Sequence, residues 1–113
     1  AEVYGHTLRI EKVSAEDIKR SQKKSVEFIS ADGIKPTFQL RTWKKGDRFN
    51  PLGMKGSKKI SDFLIDEKTY SIKKKDQLVL LNDGKIVWVV GLRIDNRFKL
   101  TPKTKKVIKL SYK

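Results

Sequence analysis

Cysteine is absent from this sequence, which excludes disulfide scaffolds, thiolate metal centres and cysteine nucleophiles together. Histidine occurs once, at His6, and a lone imidazole without thiolates cannot build the usual zinc site, so it reads as a surface side chain and no metal is expected. Long apolar runs are missing as well. The longest, residues 86–90, is far too short to cross a bilayer, so no membrane partner is expected. The opening residues carry neither a basic n-region nor an apolar h-region, and the chain is expected to be soluble and cytoplasmic. Its first residue is Ala1 rather than methionine, which suggests a processed chain or a piece of a longer one.

Acids are the other scarcity. Lysine and arginine number 27 against 13 acidic residues, a formal charge of +14, and such a surplus strains a small fold by self-repulsion unless a polyanion neutralises it. The surplus is not spread evenly. Residues 1–34 hold six basic and six acidic side chains, whereas residues 35–113 hold 21 and seven. A thermophile's enrichment in lysine would raise glutamate alongside it, and here the acids do not follow. With 113 residues, 37% hydrophobic and 35% charged, the chain suffices for one compact domain with a lean core. Residues 1–34 read as a charge-neutral lead-in and residues 35–113 as a basic core module.

Hydrophobic periodicity gives a β-rich α+β outline. Residues 7–13 alternate as a half-buried strand. Ser14 offers an N-cap oxygen, with Asp17 as a weak capping-box acid, for a short polar helix to about Lys23. Residues 26–29 and 37–43 read as strands, the second sending Phe38, Leu40 and Thr42 inward and presenting Arg41 beside Trp43 on its other face. Ser57 is placed to cap a helix ending near Lys68, with Ile60, Phe63 and Leu64 as its apolar stripe. Residues 77–81 and 85–90 form a hairpin about Asn82, Asp83 and Gly84, and the unbroken apolar run in its second arm points to a strand covered on both sides. Residues 106–112 form a last strand.

The densest chemistry lies in residues 41–59, which hold Arg41, Lys44, Lys45, Arg48, Lys55, Lys58 and Lys59 against a single acid, Asp47. Lys58 and Lys59 fall in the first turn of the expected helix, where the macrodipole disfavours cations. Free N–H groups at a helix start, a glycine-containing loop and adjacent ammonium groups together suit a phosphate; the alternative is a solvated lysine-rich loop. Trp43 is a candidate for stacking on a base or sugar, while Trp88 reads as core. Asp47 is expected to orient Arg48 by an ion pair. Asp62 and Asp66 are expected to pair with Lys58, Lys59 or Lys68, and Asp95 with Arg93 or Arg97. No catalytic residue is assigned.

The string Arg41-x-Trp43-x-x-Gly46-Asp47-Arg48-Phe49-x-Pro51-Leu52-Gly53-Met54-x-Gly56-x-Lys58-Lys59-Ile60-Ser61-Asp62-Phe63, with Trp88, Gly91, Arg93, Asp95 and Arg97 downstream, resembles the C-terminal domain of bacterial tRNA(Ile)-lysidine synthetases. The resemblance covers roughly residues 37–100. Lys44 and Lys45 stand where that family commonly has Arg and Pro, and residues 75–78 lack its proline. The resemblance implies a layered, β-rich fold with short helices, also found in the phenylalanyl-tRNA synthetase β chain. It implies a parent ligase that uses ATP and magnesium to attach lysine to the wobble cytidine of the CAU anticodon of tRNA(Ile). The chemistry belongs to an N-terminal domain whose Ser-Gly-Gly-x-Asp-Ser phosphate loop is not found in this sequence. This piece is then expected to need no cofactor of its own, to work beside that catalytic domain, and to hold the tRNA body, including the acceptor stem. A homodimer is common in the family, although no amphipathic stripe here argues one.

An A-form stem hides its base edges, so whatever holds one must use phosphates and 2′-hydroxyls. The expected contact set is Arg41, Lys44, Lys45, Arg48, Lys55, Lys58, Lys59, Arg93 and Arg97, joined by a basic tail after Asp95. The competing reading is a docking module whose basic face meets an acidic protein surface and has no RNA affinity.

Overall fold

The computed structural model describes residues 2–3, 6–18, 25–68 and 74–113. Among the described residues, ten strands and a short α-helix stack in three layers. The first layer is a sheet of β1 (Glu2–Val3), β2 (His6–Val13), β3 (Val26–Ser30) and β10 (Val107–Tyr112) in the order β1-β2-β10-β3. The middle layer is a sheet of β4 (Phe38–Thr42), β7 (Leu78–Asn82), β8 (Lys85–Val89) and β9 (Arg93–Ile94), in the order β4-β7-β8-β9. The outer layer combines the two-residue strands β5 (Arg48–Phe49) and β6 (Lys58–Lys59) with α1 (Ile60–Asp66).

The middle sheet explains the stacking. Its β7–β8 hairpin turns at Asp83 and Gly84, both with positive φ (52° and 76°), the geometry that suits the right-handed twist of paired strands. Along β7 the side chains alternate between two cores. Leu78 and Leu80 pack with Trp88, Leu8, Ile29, Ile108 and Leu110 of the inner core, while Val79 and Leu81 pack with Phe49, Ile60, Phe63 and Leu64 of the outer one. Both faces of the hairpin are therefore buried, as the apolar run in residues 86–90 anticipates. A register shift between Leu80 and Leu81 interrupts the ladder to β8. Trp88 is fully buried, and its indole nitrogen has no hydrogen-bond partner among the described residues.

Two-sided burial also corrects the reading of residues 37–43. Phe38 and Leu40 join the inner core as expected, but the opposite face is not open: Trp43 packs against the outer core and Arg41 is half-buried. The N-terminal segment is tied into the first sheet, because β10 lies between β2 and β3 and pairs with each along most of its length. Ser14 is followed by a single 3₁₀ turn, Ala15–Asp17; the rest of the polar helix expected to reach Lys23 falls outside the described residues.

Two carboxylates clamp main chain across long sequence separations. Asp95 is fully buried and accepts from the Asn50 N–H at 2.8 Å, the Arg97 N–H at 2.7 Å and the Arg97 guanidinium at 2.9 and 3.0 Å. It thereby ties the start of the 50–57 loop to the 3₁₀ turn Asn96–Phe98. Asp32 accepts from the backbone N–H groups of Lys105 (2.9 Å) and Lys106 (3.0 Å). The Lys105 hydrogen bond, outweighing some desolvation and aided by the Lys106 N–H, holds its carboxyl below the ordinary value.

Replacing Asp95 with Ala strands the half-buried Asn50 N–H and unpairs Arg97, and should cost about 3 kcal/mol in urea unfolding. Because the folded-state pKa of Asp32 is depressed, its contribution is present above the unfolded carboxylate value and is lost as pH falls through the folded one. Asp32→Asn should therefore melt below wild type at neutral pH, and the gap should narrow in melts run below about pH 3.

Candidate nucleic-acid interface

All nine cations of the expected contact set belong to the outer layer or to segments touching it. In the β5–β6 ladder Arg48 lies opposite Lys59 and Phe49 opposite Lys58. Strand alternation then sorts them. Phe49 is buried in the outer core, where its ring meets Phe63 edge-on at 5.0 Å, so its neighbour Arg48 must project outward together with Lys59. Arg48 and Lys59 are both exposed, and neither has a carboxylate partner among the described residues. Like charges directly opposite on one strand pair are destabilising. The Arg48 guanidinium is steadied by the Ser57 hydroxyl, which accepts from Nε and Nη2 at 3.2 and 3.1 Å.

This corrects the expected helix start. Lys58 and Lys59 form a strand, not a first helical turn; Ser57 does not cap; and the helix runs only from Ile60 to Asp66, with Lys59 at the N-cap position and no side-chain cap. The first helical N–H, of Ile60, donates to the Asp47 carbonyl at 2.9 Å. One of the N–H groups expected to be free at the helix start is therefore already taken, and Lys58 and Lys59 present their side chains from a strand.

Asp47 does not pair with Arg48 as expected. It forms a two-point bridge to Arg41 (Nη1 at 2.8 Å, Nη2 at 3.1 Å) and accepts the Lys44 N–H at 2.9 Å. Burial pushes the Asp47 carboxyl up, but the Arg41 hydrogen bonds and the Lys44 N–H outweigh it, so the group is held below its ordinary value. The result is a fixed turn, closed at Gly46 (φ 94°), that displays the exposed Lys44 and Lys45.

Three more of the nine are matched by internal acids. Lys58 bonds Asp66, one of the pairings expected for that acid. Arg93 donates to Glu67 at 3.1 Å and lies over the Phe63 ring at 5.3 Å, a partner 26 positions away that no local pattern announces. Arg97 pairs with Asp95, one of its two expected partners, and that contact helps hold its guanidinium pKa above the ordinary value despite desolvation. Lys44, Lys45, Arg48, Lys55 and Lys59 remain exposed, with no ion pair among the described residues. Trp43 is half-buried, donates its indole N–H to the Lys74 carbonyl at 2.6 Å, and has the Lys74 ammonium 5.7 Å from its ring centre. The basic tail divides differently. Lys109 sits on β10, opposite Glu11 in the ladder to β2, so it belongs to the first sheet and not to this layer.

Among the described residues no group of three histidine or acidic side chains could hold a metal, and no helix is long and apolar enough to cross a membrane.

Comparison with known proteins agrees with this architecture. The model of the TilS substrate C-terminal domain family matches residues 38–111. The chain is 41% identical over 96 residues to the tRNA(Ile)-lysidine synthase of Parabacteroides distasonis, covering 85% of this chain and 22% of that protein. It is 42% identical over 88 residues to the same enzyme of Caldanaerobacter subterraneus subsp. tengcongensis, covering 77% and 19%. The chain thus spans about a fifth of the length of these curated relatives. A crystal structure of a TilS C-terminal domain matches with a TM-score of 0.78 at 23% identity, over 96% of this chain and 84% of the other. An N-terminal fragment of the phenylalanyl-tRNA synthetase β-subunit from Pyrococcus horikoshii matches at 0.66 and 20%, over 77% and 27%. These two likenesses are of fold, and they bear out the layered β-rich expectation. With the family model covering most of its length and this architecture beneath it, the chain belongs to the TilS substrate C-terminal domain family.

Proposed function

We propose that this chain is the tRNA-holding part of a lysidine-forming ligase, and that it grips the backbone of the tRNA body and acceptor stem while a separate N-terminal domain performs the ATP- and magnesium-dependent chemistry in the cytoplasm. The substrate in this reading is tRNA(Ile) with a CAU anticodon. The single observation that supports it most is the exposed Arg48–Lys59 pair, two cations placed face to face across a ladder with no acid among the described residues to relieve them. Such a pair weakens the free protein and becomes favourable when a phosphate enters between its members.

The work divides among the nine cations. Arg41, Lys58, Arg93 and Arg97 are engaged by Asp47, Asp66, Glu67 and Asp95 and give the loop its shape. Lys44, Lys45, Arg48, Lys55 and Lys59 supply the phosphate contacts. They ring a layer whose Phe49, Ile60, Phe63 and Leu64 turn inward, and charge displayed on such a support suits a partner read by its charge and contour, as an A-form stem must be. A protein-docking role without RNA affinity is the competing reading, and it makes the opposite prediction in solution.

If the five open cations each neutralise a phosphate, binding of an RNA stem should weaken with rising salt at a slope of about −4 in log–log form, measured by filter binding. No measurable RNA affinity at low salt would favour the docking reading. Arg48→Gln with Lys59→Gln should make that slope shallower by about 2 and leave the melting temperature equal to or above that of wild type, because a like-charge pair is removed. Unchanged affinity in the double variant would take this ladder out of the interface.

A further inference from the structure

Between the first sheet and β4, on the side of the middle layer away from the β5–β6 ladder, a groove of about 490 Å³ opens to solvent. Its floor is apolar. Ile10 stands 37% exposed on β2, Ile108 lies beside it on β10, and Ile34 and the half-buried Phe38 form the opposite wall. Its rim carries Lys12, Lys35 and Lys106, all exposed, from three separate segments, and no carboxylate lines it.

The main chain beneath each lysine is fixed. Lys12 is in register with Ile108 in the β2–β10 ladder. Lys35 has both backbone groups held by the buried Asn82 side chain, its N–H donating to Oδ1 and its carbonyl accepting from Nδ2, each at 2.9 Å. Lys106 donates its N–H to Asp32. Asp32 is the one acid bound beside this rim among the described residues, its hydrogen bonds go to backbone N–H groups, and none of the three ammonium groups has an ion pair among the described residues. A concave apolar floor with prearranged cations on three sides, of a size common for ligand clefts, is complementary to a flat apolar group that carries negative charge at its edges.

We propose that this groove is a second RNA subsite, one that takes a single unpaired nucleotide, with its base against Phe38 and Ile34 and its flanking phosphates between Lys12, Lys35 and Lys106. Bases offer a π face to any aromatic or apolar platform and bring phosphates on both sides. A base inside a duplex is stacked and cannot enter, so this subsite selects an unstacked residue where the β5–β6 layer selects a stem. An acidic peptide satisfies the lysines alone; a nucleotide satisfies the lysines and the aromatic wall with one rigid unit. The proposal rests on the RNA-holding reading for the class of polymer and goes beyond it in the place and the kind of contact.

The test is amide NMR on the whole 113-residue chain, titrated separately with a single-stranded RNA tetramer and a blunt RNA duplex, for wild type, Phe38→Leu and the triple variant K12Q/K35Q/K106Q. Thermal melts confirm that each variant is folded. The tetramer should shift the amides of Ile10, Ile34, Phe38 and Ile108. Loss of the ring or of the three charges should each weaken the tetramer by about fivefold or more while changing duplex affinity less than about twofold. Tetramer shifts confined to residues 44–59, equal tetramer affinity in all three proteins, or displacement of the tetramer by a poly-glutamate peptide of comparable affinity would each overturn the subsite. A tetramer that fills the groove beside a duplex that does not bind at all would uphold the subsite and instead refute the stem grip of the outer layer.

Discussion

Burial of the β7–β8 hairpin on both faces determines where everything else can go. Its residues are apolar on both sides of the pleat, so one face must be covered by the first sheet and the other by α1 with the β5–β6 ladder. Covering the outer face consumes Phe49, Ile60, Phe63 and Leu64, which are all buried there. Once Phe49 faces in, the period of a strand leaves its neighbour Arg48 no option but to face out, and the antiparallel register brings Lys59 opposite it. The exposed cation pair is therefore a consequence of core packing, and its unfavourable charge is tolerated because the burial beneath it is worth far more than the repulsion.

Internal acids complete that layer in a selective way. Asp47, Asp66, Glu67 and Asp95 each engage one cation and, with Asp47 and Asp95, a backbone N–H as well. They constrain the turn at residues 44–47 and the loop at 50–57 from both ends. What stays open is a set of side chains standing on rigid supports, and rigid supports reduce the entropy lost when a polyanion is bound. The basic surface is consequently smaller than the sequence count of cations in residues 35–113 and better ordered than a solvated lysine-rich loop.

Much of this was legible before any coordinates. Alternation in residues 7–13, the Asp83-Gly84 turn between two apolar runs, and the two-faced burial of residues 86–90 are local signals, and each matches an observed strand or turn. The family string in residues 41–63 pointed to the same fold. What escaped were nonlocal facts. Lys58 and Lys59 look like a helix start because the ladder that makes them a strand depends on Arg48 and Phe49, ten residues earlier. Adjacency suggests Arg48 as the partner of Asp47, yet the turn at Gly46 folds Asp47 back onto Arg41 near the end of β4. Asp95 carried a partial signal, since an Asp two residues before an Arg favours a local side-chain turn, but its hold on Asn50 had none. The insertion of β10 between β2 and β3, which ties the charge-neutral start to the basic end, is likewise invisible to any window of sequence.

The central claim is that a folded, partly self-neutralised outer layer presents five cations to an RNA stem. A crystal structure of this chain with a short RNA duplex tests it most directly. The account predicts phosphate oxygens within hydrogen-bonding distance of both Arg48 and Lys59, with Arg41 still bridged to Asp47. A duplex seated elsewhere, or one that reaches the protein only by breaking those internal bridges, would contradict it.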